Sequence, residues 1–205
     1  MYGPMTTRRQ YLWSSRGTAP IQLIRGQNRV ISKLTCDDDT FTTMLEHLRQ
    51  ALPAEGVGLL SAIRSGRELV AGRFYEGRNI ESSRTRYTMH PADVSTALND
   101  IERRGEVVGA VVHSHPRTPP VPSRFDLIDA TLPGIVHVIA GFQPMLSVRA
   151  WWLDFDQHGN AVAAREVEFK SGVVHGEAGE RDSFPIVRGE FEQRGDDGRG
   201  RREFA

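Results

Sequence analysis

Glu106-Val107-Val108-Gly109-Ala110-Val111-Val112-His113-Ser114-His115-Pro116 is the stretch on which the fold turns. The run from Glu106 to Val112 is short, β-branched and almost wholly apolar, which predicts a buried strand. Successive side chains on a strand alternate sides, so His113 and His115 face the same way. Asp126 follows eleven residues after His115. Two imidazoles and a carboxylate make a donor set that a divalent zinc ion accepts.

Downstream, Arg117-Thr118-Pro119-Pro120-Val121-Pro122 puts three prolines into a short loop. Such a loop holds one shape at low entropic cost and sets Ser123 and Asp126 relative to the histidines. Ser123-Arg124-Phe125-Asp126 then starts a helix predicted to reach about Thr131. A serine N-cap with an acidic residue three positions on is close to a capping box, so on its own this pair reads as structural. Residues 134–142 and 147–155 carry two further strand patterns, and 161–169 a last edge strand. His137, Trp151 and Trp152 read as packing residues.

Upstream, residues 29–35 form a short strand pattern. Asp37-Asp38-Asp39-Thr40 is helix-start chemistry, and Phe41, Met44, Leu45, Leu48 and Leu52 recur at helical spacing. A helix over about 39–51 is predicted, stopped before Pro53, with Cys36 packed as a small apolar residue and His47 on the polar face. Pro53-Ala54-Glu55-Gly56-Val57-Gly58-Leu59-Leu60 then places one carboxylate where a strand over about 57–63 begins, beside glycines that allow close backbone approach. Taken alone, Glu55 reads as a solvated helix end. Ser65-Gly66 turns the chain into a partner strand over 68–75. Residues 76–91 are a mostly polar connection with one extended piece over 86–89. A helix starting at Asp93 turns Val94, Ala97, Leu98 and Ile101 inward and closes at Gly105, while His90 is a loop residue.

A chain of 205 residues holds one domain of roughly 130 to 150 residues with extensions. The extensions are a basic flexible arm over 1–28, with Arg8, Arg9, Arg16 and Arg25 and no acidic residue, and a charged Gly-rich tail over 170–205, expected to be disordered. Lys plus Arg number 26 and Asp plus Glu 26, a balance that argues against nucleic acid or an anionic membrane as the main partner. Cys36 is the only cysteine, which excludes an internal disulfide and a Cys-based zinc knuckle and fits a reducing, cytoplasmic setting. No apolar run approaches the ~18 to 20 residues of a bilayer span. Thr7-Arg8-Arg9-Gln10-Tyr11-Leu12 looks like a twin-arginine signal, but the following Ser14-Ser15-Arg16-Gly17 is not the apolar segment that signal needs.

Glu55, then His113-x-His115, seven residues, Ser123, two residues and Asp126 together resemble the pattern of the JAMM (MPN-plus, Mov34-type) zinc metalloproteases. Pro53-x-Glu55 leading into Gly58-Leu59-Leu60 is similar to the start of the small bacterial and archaeal members, and the likeness covers about residues 29–169. One departure is Val57, where many small bacterial members have a cysteine that is not a ligand. The resemblance implies an α/β (α+β type) fold, a curved mixed β-sheet sandwiched between helices. It implies one zinc per chain held by His113, His115 and Asp126, with Glu55 as general base and Ser123 stabilising the oxyanion. The implied activity is a zinc-dependent metallopeptidase or isopeptidase that cleaves after the C-terminal glycines of a ubiquitin-like or sulfur-carrier protein. The alternative is a non-catalytic MPN-type protein-binding scaffold, and a DNA-repair relative with the same spacing fits the neutral charge poorly.

Overall fold

The structure is a computed structural model, and it describes residues 30–130 and 132–171. The basic arm over 1–28 and nearly all of the tail over 170–205 lie outside the described residues. In chain order the elements are β1 (Lys33–Cys36), α1 (Asp38–Gln50), β2 (Val57–Ser65), β3 (Glu68–Gly77), α2 (Pro91–Arg103), β4 (Val107–His115), α3 (Arg124–Asp129), β5 (Val136–Gly141), β6 (Ser147–Phe155) and β7 (Ala161–Ser171). No helix among the described residues is long and apolar enough to cross a membrane.

The sheet is mixed, as expected, but it closes. Its strands run β1-β3-β2-β4-β5-β6-β7 and back to β1, a barrel rather than an open sheet between helix layers. Closure is the work of β1, which pairs in parallel with β3 on one side and β7 on the other. Ser32 begins both seams: its N–H donates to the Arg67 carbonyl at 2.8 Å, and its own carbonyl accepts from the Glu168 N–H at 3.0 Å. β7 is therefore not an edge strand. It also takes in Lys170 and Ser171, which the sequence pattern assigned to the tail.

Two apolar clusters hold the helices. Phe41, Met44 and Leu48 of α1 pack with Leu60, Leu69, Phe74, Ala110, Val112, Val138 and Trp152. Val94, Ala97 and Ile101 of α2 pack with Val57, Leu59, Met89 and Val108. α1 begins on Asp37, whose carboxylate accepts from Thr40 N–H at 2.7 Å. α2 begins earlier than the Asp93 start predicted, because His90 serves as its N-cap, with Nδ1 accepting from Ala92 N–H at 3.2 Å. Gly105, at φ 67°, ends the chain's turn out of α2 in a conformation that suits glycine. His47 does not lie out on a polar face: it is half-buried, with Nε2 3.0 Å from the Val57 carbonyl.

Candidate functional site

β4 lies between β2 and β5 and delivers its last residues to one end of the barrel. Both neighbours bind it there, Val57 of β2 opposite His113 and Gly141 of β5 opposite His115. His113 is fully buried and His115 is 3% exposed, their rings 5.1 Å apart. The alternation of the strand puts the two imidazoles on one face, as the sequence predicts.

Asp126 comes to them from the first turn of α3. Ser123 is the N-cap: its Oγ accepts from Asp126 N–H at 3.2 Å, and its own N–H donates to Asp126 Oδ2 at 2.6 Å. The capping box read from the sequence is present, and its returning arm aims the carboxylate. Asp126 Oδ1 lies 3.2 Å from His113 Nε2, and Oδ2 lies 3.3 Å from His115 Nε2.

The loop between β4 and α3 sets the proton on His115. Its Nδ1 lies 2.9 Å from the Pro119 carbonyl, which can only accept, so Nδ1 carries a hydrogen and Nε2 is the nitrogen turned toward Asp126. Trp151 holds the same loop from β6 by donating Nε1–H to the Pro120 carbonyl at 2.8 Å. Gly141 makes room for it, since a Cβ there would sit 2.9 Å from Pro120 Cδ. Trp151 is thus more than packing, a role without a local sequence signal.

Glu55 lies between α1 and β2. Gly56 N–H donates to Ser114 Oγ at 2.9 Å and Ser114 N–H to the Gly56 carbonyl at 3.1 Å, which carries the β2–β4 alignment one step past Val57 and His113. Glu55 comes next along the chain, close enough to His115 and Asp126 for both charges to act on its carboxyl. It is 3% exposed, so it is not the solvated helix end that its sequence position suggests, and its Oε2 has no hydrogen-bond partner among the described residues. Gly56 and Gly58 permit this approach: a Cβ on Gly56 would lie 2.9 Å from Leu48 Cα, and one on Gly58 2.6 Å from the Tyr75 carbonyl.

Two more side chains close around His113. Tyr87 stacks on its ring at 4.5 Å, and His137 meets it edge-on at 6.4 Å. Burial, aided by His113, holds the His137 pKa down to about 4, so this ring is neutral near pH 7. Tyr87 was hidden in a polar connection and His137 looked like core, so neither could be assigned to the site from sequence.

The cluster sets a buried carboxylate against two buried imidazoles. Burial pushes the Asp126 carboxyl up, but His113, His115 and Ser123 outweigh it and hold the group well below the usual carboxylate range. Burial works against a charged His115, yet Asp126, the Pro119 carbonyl and Glu55 raise its pKa. Burial lowers His113, with Asp126 opposing. His113 Nε2 is buried without a well-directed hydrogen bond, although Asp126 Oδ1 is near. His113, His115 and Asp126 each offer one ligand atom, all within 4.8 Å of one another, and they are the one such group among the described residues. Two nitrogens and one oxygen suit zinc, and a bound cation would displace any proton carried on His115 Nε2.

Glu55 has a consequence that needs no metal. Burial, with His115 pulling down and Asp126 pushing up, raises its pKa from 4.5 to about 7. The folded state disfavours the carboxylate, so the metal-free protein loses stability as pH rises from about 4.5 to about 7 and stays at that lower level above. Glu55→Gln is therefore expected to stabilise the chelator-treated protein at pH 8, by on the order of 3 kcal/mol, and to change little at pH 4. Urea unfolding at the two pH values checks this; equal shifts at both would overturn it.

Compared with known proteins, residues 37–154 match the family described as prokaryotic homologs of the JAB domain. That interval includes Glu55, His113, His115, Ser123 and Asp126. The chain is 29% identical over 124 residues to the desampylase of Haloferax volcanii, covering 58% of this chain and 88% of that protein. The solution structure of a protein from Desulfitobacterium hafniense superposes with a TM-score of 0.59 at 30% identity, covering 67% of this chain and 92% of the other.

Proposed function

The chain belongs to the prokaryotic JAB-domain family, and on that premise we propose that it is a zinc-dependent isopeptidase. Its substrate would be a ubiquitin-like or sulfur-carrier protein, cut after the C-terminal glycines. The observation that carries this reading is a buried Glu55 carboxyl, unpartnered at Oε2, under the charges of His115 and Asp126, two of three convergent side chains that could hold a metal ion. The likeness to a protein named desampylase supports a hydrolase that removes an attached modifier. A non-catalytic scaffold would have no use for such a carboxyl, whose burial costs stability.

His113, His115 and Asp126 would hold the ion. When bound, it would supply Lewis acidity toward the scissile carbonyl and bring the pKa of a water down toward neutrality. Glu55 would take a proton from the attacking water as the new C–O bond forms. It would return the proton to the amine nitrogen as the C–N bond breaks, so the base of the first half is the acid of the second. A pKa raised toward neutrality suits a group that must do both. Ser123 Oγ already accepts from Asp126 N–H, which leaves its own O–H free to donate to the carbonyl oxygen as negative charge develops there.

A branched peptide tests the reading: a chain ending in Gly-Gly, joined through its terminal carboxyl to the ε-amine of a lysine in a second peptide. Zinc-loaded protein is expected to release the two peptides, seen by mass spectrometry, with the cut after the second glycine. No cleavage of this peptide and of a linear Gly-Gly fusion would sink the proposal.

Ser123→Ala separates the two roles of that residue. Loss of the cap alone costs about 0.5 to 2 kcal/mol of stability and leaves the rate per folded molecule unchanged. Loss of an oxyanion donor lowers kcat by roughly 10² to 10³. We expect both effects in zinc-loaded protein, the first read by thermal melting and the second with the branched peptide. A melting shift with unchanged kcat would return Ser123 to capping alone.

A further inference from the structure

Residues 78–90, between β3 and α2, touch Glu55, His113 of β4 and the helix α3 that carries Asp126. At the base of this strap, Arg78 grips Asp93 of α2, with Nη2 2.7 Å from Oδ1 and Nε 2.9 Å from Oδ2, and the Arg78 carbonyl accepts from His90 N–H at 2.8 Å. On its far side, Arg86 pairs with Asp129 of α3 at 2.9 Å and lies 4.9 Å over the Phe125 ring. Between these anchors Tyr87 covers His113.

The strap also takes hold of Glu55 by its main chain. Glu55 lies outside any helix or strand, so no regular ladder secures its backbone. Its N–H donates instead to the Ser83 carbonyl at 2.7 Å, and its carbonyl accepts from Asn79 Nδ2 at 2.9 Å. Asn79 is the hub of this arrangement. Nδ2 donates also to the Arg86 carbonyl at 3.2 Å, while Oδ1 accepts from Glu81 N–H and Thr88 N–H, each at 3.0 Å. Both amide hydrogens and both carbonyl lone pairs are used, all on backbone groups. Because Oε2 of Glu55 has no bond of its own, the carboxyl takes its position from the backbone behind it.

We propose that Asn79 is a positioning residue for Glu55, tying the backbone of the base to the strap that carries Tyr87 and Arg86, so that the carboxyl stays in register with His115 and Asp126. The proposal rests on Glu55 acting as base. A misplacement of about 1 Å can cost about 10²-fold in rate, so the effect should fall on turnover rather than on binding.

Asn79→Ala removes all four bonds, and Asn79→Asp keeps the shape while turning the donor into an acceptor that faces two carbonyls. In zinc-loaded protein with the branched peptide, each is expected to lower kcat by about 10- to 100-fold. KM and zinc content, the latter by elemental analysis, should stay as in the wild type. In a Glu55→Gln background the same substitutions should cost less than about twofold, because no base remains to be misplaced. Wild-type kcat in both variants, or the same loss in both backgrounds, would overturn the proposal. Hydrogen–deuterium exchange on the unaltered protein reads the same tie with no dependence on activity or on how a variant folds. The Glu55 amide, bonded to Ser83, and the Thr88 amide, bonded to Asn79, should exchange at least about 10²-fold slower than exposed amides. Exchange at the exposed rate would overturn the proposal. Failure of the wild type to cut the peptide with both amides protected would instead count against the isopeptidase reading.

Discussion

His115→Ala is expected to give a protein that folds yet holds no zinc after gel filtration and has no detectable turnover. The candidate ligand set is three side chains, and two donors hold zinc weakly. The loss goes beyond one bond. His115 also links the Pro119 carbonyl to Asp126 Oδ2, so the substitution leaves the Asp126 carboxylate facing only His113 and the Ser123 N–H. His47→Ala is the matching control. That imidazole lies against the Val57 carbonyl and Phe74 and is not one of the three candidate ligands, so its removal should leave zinc at one per chain. Elemental analysis of both variants checks the pair. Unchanged zinc in His115→Ala would remove that residue from the ligand set.

What the sequence made legible here is what short-range physics controls. An apolar β-branched run that ends in His113-Ser114-His115 can only alternate its side chains, and β4 does so. Asp126 could be placed because its capping box with Ser123 is a four-residue affair. Closure of the sheet was not legible. It depends on β1, four residues long, meeting β3 and a β7 that lies more than 130 residues away, and no periodicity within β1 announces either partner. The helices do pack on the sheet, but the expected sandwich gives way to a barrel for that reason. Glu55 was legible as a type of residue and not as a place, since its burial comes from Gly56 and Gly58 letting α1 and β3 close in. Asn79, Ser83 and Trp151 act through backbone carbonyls and amides, which look the same under every side chain.

Glu55→Gln separates the metal from the base. The substitution preserves volume and leaves the three ligands untouched, so one zinc per chain should remain. Glutamine cannot take up a proton from water or return one to a departing amine, and general acid–base catalysis is worth about 10² to 10⁴ in rate. We therefore expect kcat on the branched peptide to fall within that range while KM moves little. The pH profile carries independent information. In the wild type, activity should rise with pH as Glu55 ionises, since only its carboxylate can accept the proton. The group sits at about 7 in the metal-free protein, and a nearby cation favours the charged form, so the rise in the loaded enzyme should be centred below 7. The residual activity of Glu55→Gln should lack that rise altogether. A zinc-replete Glu55→Gln protein that turns over near the wild-type rate, or keeps the same pH rise, would show that the proton is handled by another group. The buried Glu55 carboxyl would then have no part in the chemistry.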